Sequence, residues 1–118
     1  MTFWNVGDEE HSDPRFVRAG SGSFELYHKA GSWCMGQIRG RPEEEIPVDW
    51  FVPDEFVRGQ HNGTRLAKGL IAQGMWERVE HGYRFAWIRE GNKPDAVRTI
   101  RKRERDKKPR QRARLEGQ

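Results

Sequence analysis

Two patterns meet between residues 63 and 88, and together they limit the fold more than any other part of the chain. Apolar side chains recur at helical spacing in residues 63–73 and form one side of a predicted helix. They are Leu66, Ala67, Leu70 and Ile71. Two aromatic and β-branched runs follow in residues 75–88, which is typical of a β-hairpin with His81-Gly82 at its tip. A helix leading directly into a hairpin requires a mixed α+β fold.

The first third of the chain predicts two helices. Residues 11–20, HSDPRFVRAG, are typical of a short helix with Ser12 or Asp13 as its N-cap and a proline at its first position. Residues 21–40 predict a longer central helix, capped by one of its first two serines and apolar on most of its surface. The second helix is therefore expected to lie in the middle of the core.

The segment between the central helix and residue 63 changes character twice. Residues 39–50 contain two prolines and three consecutive glutamates, which favours an exposed acidic connector. The run DWFVP then predicts a short strand, and PDEFVRG predicts a helix of about seven residues before the turn GQHNG. A short strand and a short helix are thus expected in front of the helix at 63–73.

Charge is divided unevenly along the chain. The net charge is +4, but residues 1–57 carry 11 acidic and 5 basic side chains, whereas residues 93–118 carry 11 basic and 4 acidic ones. An acidic front half followed by a strongly basic tail indicates a polyanion-binding end. The alternative is a basic tail that only keeps the protein in solution.

Composition and spacing argue against catalytic and cofactor chemistry. The length of 118 residues fits one modest domain, which we place at residues 1–92, followed by a basic C-terminal tail at residues 93–118. Cys34 is the only cysteine, so neither an internal disulfide nor a cysteine-based zinc site is predicted. It falls on the apolar side of the central helix, where an unreactive buried thiol is expected. No enzymatic activity, metal or cofactor is predicted.

The hydropathy of the chain favours a soluble, cytoplasmic protein. No apolar run approaches the ~18 residues of a membrane span. The N-terminal sequence MTFWNVGDEEHSDP also lacks the basic-then-apolar order of a secretory signal. No membrane partner is expected.

The predicted order is helix, short strand, short helix, turn, helix and hairpin, which is the order of a winged helix-turn-helix domain. The chain also resembles the small winged-helix domains of actinobacteriophage DNA-binding and replication-initiation (replisome-organiser-like) proteins. The resemblance covers roughly residues 3–92 and rests on Trp4 near VGDE, HSDP, FELYHKAGSWC, DWFVP, LIAQGMWE and GYRFAWIREGN. It implies binding of double-stranded DNA, either sequence-tolerant or operator-specific.

The helix at 63–73 is the predicted recognition helix. Arg65 and Lys68 lie opposite its apolar side, where they can reach guanine edges or phosphates. Gly69 and Ala72 are predicted on the same free side, as small neighbours that let the helix approach a groove. At the helix N-terminus, backbone N–H groups favour a phosphate. The residues expected to assist there are Asn62 and Thr64.

Further phosphate contacts are predicted outside this helix. The tail is expected to be partly helical or disordered: Val97 and Ile100 are its only apolar anchors, nothing holds it beyond Ile100, and Pro109 ends any helix. An arginine-rich arm of this kind can also bind RNA. The candidates in the preceding helix and the hairpin are Arg58, Arg78, His81 and Arg84, and those in the tail are Arg101, Lys102, Arg103, Arg105, Lys107 and Lys108.

The sequence therefore favours a DNA-binding phage factor that initiates replication or regulates transcription. The alternative is a protein-interaction adaptor on a winged-helix scaffold, with the acidic front half contacting a host or replisome protein. The excess of only three positive charges in residues 58–84 keeps this alternative open. Pairing into a homodimer, the choice between DNA and RNA, and the choice between initiator, repressor and activator are also left open.

Overall fold

Helices and a small sheet alternate along the chain, as the α+β prediction requires. The computed structural model describes residues 3–116, and the side chains of residues 3–107. The helices within this range are α1 (Pro14–Ala19), α2 (Ser23–Gln37), α3 (Asp54–Arg58), α4 (Gly63–Ala72) and α5 (Pro94–Glu116). The strands are β1 (Phe51–Pro53), β2 (Trp76–Val79) and β3 (Gly82–Phe85), and short 3₁₀ turns cover Glu10–Ser12, Glu43–Glu45 and Glu90–Asn92.

The two N-terminal helices begin in different ways. The Asp13 side chain accepts a hydrogen bond from the backbone N–H of Arg15 at 2.9 Å, so the predicted cap of α1 is confirmed. The serine cap predicted for α2 was wrong, because Gly22 occupies the cap position and no side chain caps the helix. Ser23 instead donates its hydroxyl to the carbonyl of Phe16 at 2.6 Å. A buried hydroxyl needs a partner, and here that partner is α1.

The three strands form one antiparallel sheet in the order β1-β3-β2. Trp76 pairs with Phe85 and Val79 pairs with Gly82, so the two residues of the hairpin turn are Glu80 and His81. The predicted tip at His81-Gly82 was therefore wrong by one residue. His81 takes the left-handed conformation (φ 64°) that turns of this kind require. Gly82 is buried in β3. A Cβ at this position would overlap the Val52 carbonyl and the Phe51 ring, so the strand requires glycine here.

The core lies between α2, α4 and the inner face of the sheet. Its fully buried side chains come from every layer, and the largest are Tyr27, Val52, Leu70, Met75 and Trp76. Cys34 is buried in this core, and burial raises the pKa of its thiol to about 12. The predicted burial of Cys34 is therefore confirmed, and a raised pKa favours the protonated, less nucleophilic thiol.

The C-terminal segment differs most from its prediction. The prediction that Pro109 ends any helix was wrong. The helical backbone of α5 continues across Pro109 to Glu116. A proline removes a single backbone donor, and the arginine, lysine, glutamine and alanine residues around it favour helix. Val97 of α5 is fully buried and belongs to the core cluster. The folded body thus extends past residue 92. Within the described residues, no helix is both long enough and apolar enough to cross a membrane.

Candidate nucleic-acid interface

Helix α4 is enclosed on most of its circumference and free on one side. It contacts α1, α2, α3 and β2. Leu66, Ala67 and Leu70 are buried as predicted, while Ile71 is half-buried. The exposed residues form a continuous side of the helix, which we call the α4 face, and they are Thr64, Arg65, Lys68 and Ala72.

Gly69 does not belong to the α4 face. A Cβ at this position would lie 2.9 Å from the carbonyl carbon of Ala19 and closer still to the carbonyl oxygen. The prediction that Gly69 lowers the groove-facing surface was therefore wrong. Its lack of a side chain allows α1 and α4 to cross at close range. Ala72 remains the one small residue of the α4 face.

The two cations of the α4 face are not neutralised by the protein. Helix α4 contains no acidic residue. Among the described side chains, no carboxylate oxygen lies within 4.0 Å of the Arg65 guanidinium or the Lys68 ammonium group. Both side chains are exposed. The α4 face therefore presents two available positive charges to solvent.

The predicted cations of the hairpin are engaged in ion pairs. Arg78 donates to the Asp54 carboxylate, with one N–O distance of 3.1 Å, and its guanidinium lies 4.7 Å from the centre of the Tyr83 ring. The hydrogen bond from Arg78 holds the pKa of the Asp54 carboxyl below its ordinary value. Arg84 pairs with Glu77 at 2.9 Å. These arginines join the hairpin to α3 and brace its two strands, so less of their charge is available to a ligand.

A small cavity lies where α3, the N-terminus of α4 and the hairpin meet. Its volume is about 210 Å³, and it contains the predicted residues Arg58, Thr64 and Arg78. Arg58 is mostly exposed and lies 3.6 Å from Glu55. The remaining residues that line the cavity are Asp54, Val57 and Tyr83. The structure thus brings three of the predicted phosphate contacts together, with one acidic group among them.

Two further predicted DNA contacts, Asn62 and His81, lie in turns at the surface. Asn62 takes a left-handed conformation (φ 54°) at the cap position of α4, but its side chain does not cap the helix. The first-turn N–H groups of α4 are therefore not satisfied by a side-chain cap. His81 is exposed in the hairpin turn, 3.5 Å from Glu80. Both residues lie outside the cavity.

Arg18 was not predicted from the sequence. It is exposed in the last turn of α1, and it precedes Ala19, the residue that contacts Gly69 of α4. No carboxylate within the described part of the chain forms an ion pair with it. Local sequence gives no sign that Arg18 belongs with the α4 helix. Its place next to α4 depends on the close crossing of α1 and α4.

The cations of α5 divide into two groups. Arg101 and Arg105 turn toward the acidic connector at residues 39–50 and contact it directly. Lys102, Arg103 and Lys107 are exposed. These three form no ion pair with any side chain that the structure describes. The predicted Lys108 side chain lies outside the described residues.

A buried charge cluster ties the N-terminal segment to the body on another side of the molecule. His28 accepts a hydrogen bond at Nδ1 from Trp4 at 2.8 Å, and its Nε2 lies 3.6 Å from the buried Glu10 carboxylate. Arg89 also donates to Glu10, at 3.1 Å. Burial lowers the pKa of His28, since the Glu10 charge compensates only in part and Arg89 opposes protonation.

We expect the stability of the folded state to fall as the pH falls below about 6.5, because the unfolded state then binds a proton at His28 that the folded state resists. Urea unfolding at a series of pH values between about 7 and 5 measures this loss. His28→Gln should remove this contribution, whereas His61→Gln, at an exposed position, should keep it. Parallel stability curves for the parent and His28→Gln would contradict the expectation.

In the part of the chain that the structure describes, no three His, Cys, Asp or Glu side chains are grouped closely enough to hold a metal ion. Comparison with protein-family models, characterised proteins and solved structures found no match to the chain. The functional argument therefore depends on the geometry and charge of the molecule itself.

Proposed function

We propose that the chain is a winged helix-turn-helix protein that binds double-stranded DNA as a phage replication-initiation or transcription-regulating factor. In this proposal α4 enters a groove, the β2–β3 hairpin is the wing beside it, and α5 adds contacts to the phosphate backbone. The observation that carries the proposal is the α4 face, which holds two unpaired cations and no acidic residue.

The arrangement of the elements around α4 supports this assignment. The short helix α3 and α4 are joined by a four-residue turn, and α4 leads into the hairpin. Strand β1 pairs with β3, so the strand before the helix pair anchors the hairpin. This order matches a winged helix-turn-helix unit, in which the second helix of the pair contacts base edges. Thr64, Arg65 and Lys68 are side chains that can contact phosphates and bases there.

Helix α5 supports the proposal through its exposed cations. A helix of 23 residues is about 35 Å long, which corresponds to roughly one turn of duplex DNA. Its exposed cations include Lys102, Arg103 and Lys107. Contacts of this kind bind phosphates without regard to sequence and weaken steeply as salt displaces them.

We expect the full-length chain to bind a duplex of ~20 bp, with an affinity that falls as salt rises from about 50 to about 200 mM. Lys102→Gln/Lys107→Gln should reduce the slope of log affinity against log salt by about 2, because each lysine releases about one counterion. Fluorescence anisotropy with labelled DNA measures both quantities. Lys29→Gln, an exposed cation of α2, is the control and should leave the slope unchanged. Absence of duplex binding even at the lowest salt would overturn the proposal.

The second candidate is a protein-interaction adaptor, and exposed apolar residues near the acidic connector favour it. Val48 is 82% exposed and Phe51 is 45% exposed, and β1 is an edge strand of the sheet. An edge strand with apolar side chains is a surface to which another chain can add. If the chain binds DNA through α4, Val48→Ser/Phe51→Ser should leave the affinity for duplex unchanged. If the chain is an adaptor, the same variant should weaken its binding to the protein partner.

A further inference from the structure

The inner side of α5 is held to the connector, and to Ile38 at the end of α2, by arginines that donate to backbone carbonyl groups. Arg98 donates to the carbonyl oxygen of Ile46 at 3.2 Å. One turn later, Arg101 donates to the carbonyl oxygens of Arg41 at 3.1 Å and of Ile38 at 3.2 Å. These contacts position the first turns of α5. Arg98 also pairs with the carboxylate of Asp95 within the helix.

The next residue on the same side of the helix contacts a carboxylate. Arg105 forms an ion pair with Glu43, which begins the 3₁₀ turn at Glu43–Glu45. The hydrogen bond that Arg105 donates to the Glu43 carboxylate raises the pKa of the guanidinium above its ordinary value. About a quarter of the Glu43 side chain and more than half of the Arg105 side chain remain exposed. Solvent and salt therefore screen this pair, and another anion can replace Glu43.

The spacing of these arginines puts two cationic sides on one helix. Positions 98, 101 and 105 are separated by three and four residues and share a side that turns toward the connector. Lys102, Arg103 and Lys107 occupy the exposed remainder. The inner side thus also carries arginines, but an acidic segment of the same chain contacts it at Arg105.

We propose that Arg105, on the inner side of α5, is a further phosphate-binding residue, and that Glu43 occupies it as an intramolecular substitute for a nucleic-acid phosphate. This inference rests on the proposed DNA-binding function. The backbone phosphate of the duplex displaces Glu43 and takes over its contact with Arg105. The acidic connector thereby weakens binding to any polyanion that does not compete effectively for this arginine, and it adds to the discrimination between nucleic acid and weaker anions.

The test compares Glu43→Gln with Glu44→Gln. Both variants remove one negative charge from the same 3₁₀ turn, but Glu44 is exposed and forms no ion pair within the described chain. Glu43→Gln should bind the duplex more tightly than the parent by about fivefold at ~0.1 M salt, with a salt slope steeper by about 1, because a phosphate no longer competes with Glu43 for Arg105. The weaker contact of Arg105 with Asp106, at 3.5 Å, is the same in all the proteins compared. Glu44→Gln should bind like the parent.

Three results separate the two proposals. Tighter binding by Glu43→Gln alone supports the inference. Equal affinities for Glu43→Gln and Glu44→Gln, with a parent that binds DNA, overturn the inference and leave the proposed function intact. Failure of all three proteins to bind duplex at low salt overturns both.

A measurement without DNA tests the ion pair itself. Trypsin should cleave after Arg105 faster in Glu43→Gln than in Glu44→Gln, because the helix is less firmly held to the connector. Equal cleavage rates would overturn the role assigned to Glu43.

Discussion

Gly69→Ala is expected to destabilise the folded protein by about 3 kcal/mol, although alanine is the better helix former. The added methyl group would overlap the backbone carbonyl of Ala19, and a backbone group cannot move aside as a flexible side chain can. Relief requires α1 and α4 to separate, which also disturbs Leu66 against Gly20 and Gly22. Urea unfolding of the parent and the variant measures the difference in the free energy of unfolding.

The same substitution at Gly36 provides the control. Gly36 lies in the last turn of α2, and a Cβ there would meet no heavy atom within 4 Å. Gly36→Ala should therefore stabilise the protein by about 0.5 kcal/mol, through the reduced freedom of the unfolded chain. If Gly69→Ala were as well tolerated as Gly36→Ala, the close crossing of α1 and α4 would be wrong, and Gly69 could again be assigned to the free side of α4.

The second large effect concerns the α4 face. Arg65→Ala/Lys68→Ala should weaken duplex binding by about 10- to 100-fold, because the variant loses one arginine able to contact guanine and one lysine able to contact a phosphate. Stability should change little, since both side chains are exposed and neither forms an ion pair with a described residue. Anisotropy titration of labelled duplex at fixed salt measures the loss.

The matched control for this effect removes the same two residue types elsewhere. Lys29→Ala/Arg39→Ala takes one lysine and one arginine from exposed positions in α2 and just after it. The net charge falls equally in the two double variants, so any difference between them reports position and not total charge. An equal loss of affinity in both double variants would mean that α4 contributes only non-specific electrostatic attraction.

Local pattern was sufficient to predict the α4 helix and its buried side. Leu66, Ala67 and Leu70 follow helical spacing, and a helix buries its apolar side whatever it packs against. The same reasoning gave the hairpin but placed its turn one residue late, because His81-Gly82 reads as a turn pair. The sheet overrides that reading, since β1 passes so close to Gly82 that only glycine fits in the strand.

The features that escaped prediction depend on contacts between distant segments. Nothing in the spacing of Gly69 indicates which helix crosses it. The arginines of α5 looked unanchored because their acceptors are backbone carbonyls and one glutamate, roughly 50 to 60 residues earlier in the chain. Likewise, Ser23 reads as a cap from sequence alone, whereas its hydroxyl is used by α1.

The most direct test of the central claim, that α4 contacts DNA, is an amide and arginine side-chain NMR titration of the ¹⁵N-labelled chain with unlabelled duplex. We predict that the largest shifts occur in residues 62–72 and at Nε of Arg65, with smaller shifts in the exposed side of α5. In the acidic connector, the only NMR signals that should shift are those around Glu43, where this residue leaves Arg105. Shifts concentrated in residues 41–51 with α4 unchanged would contradict the account.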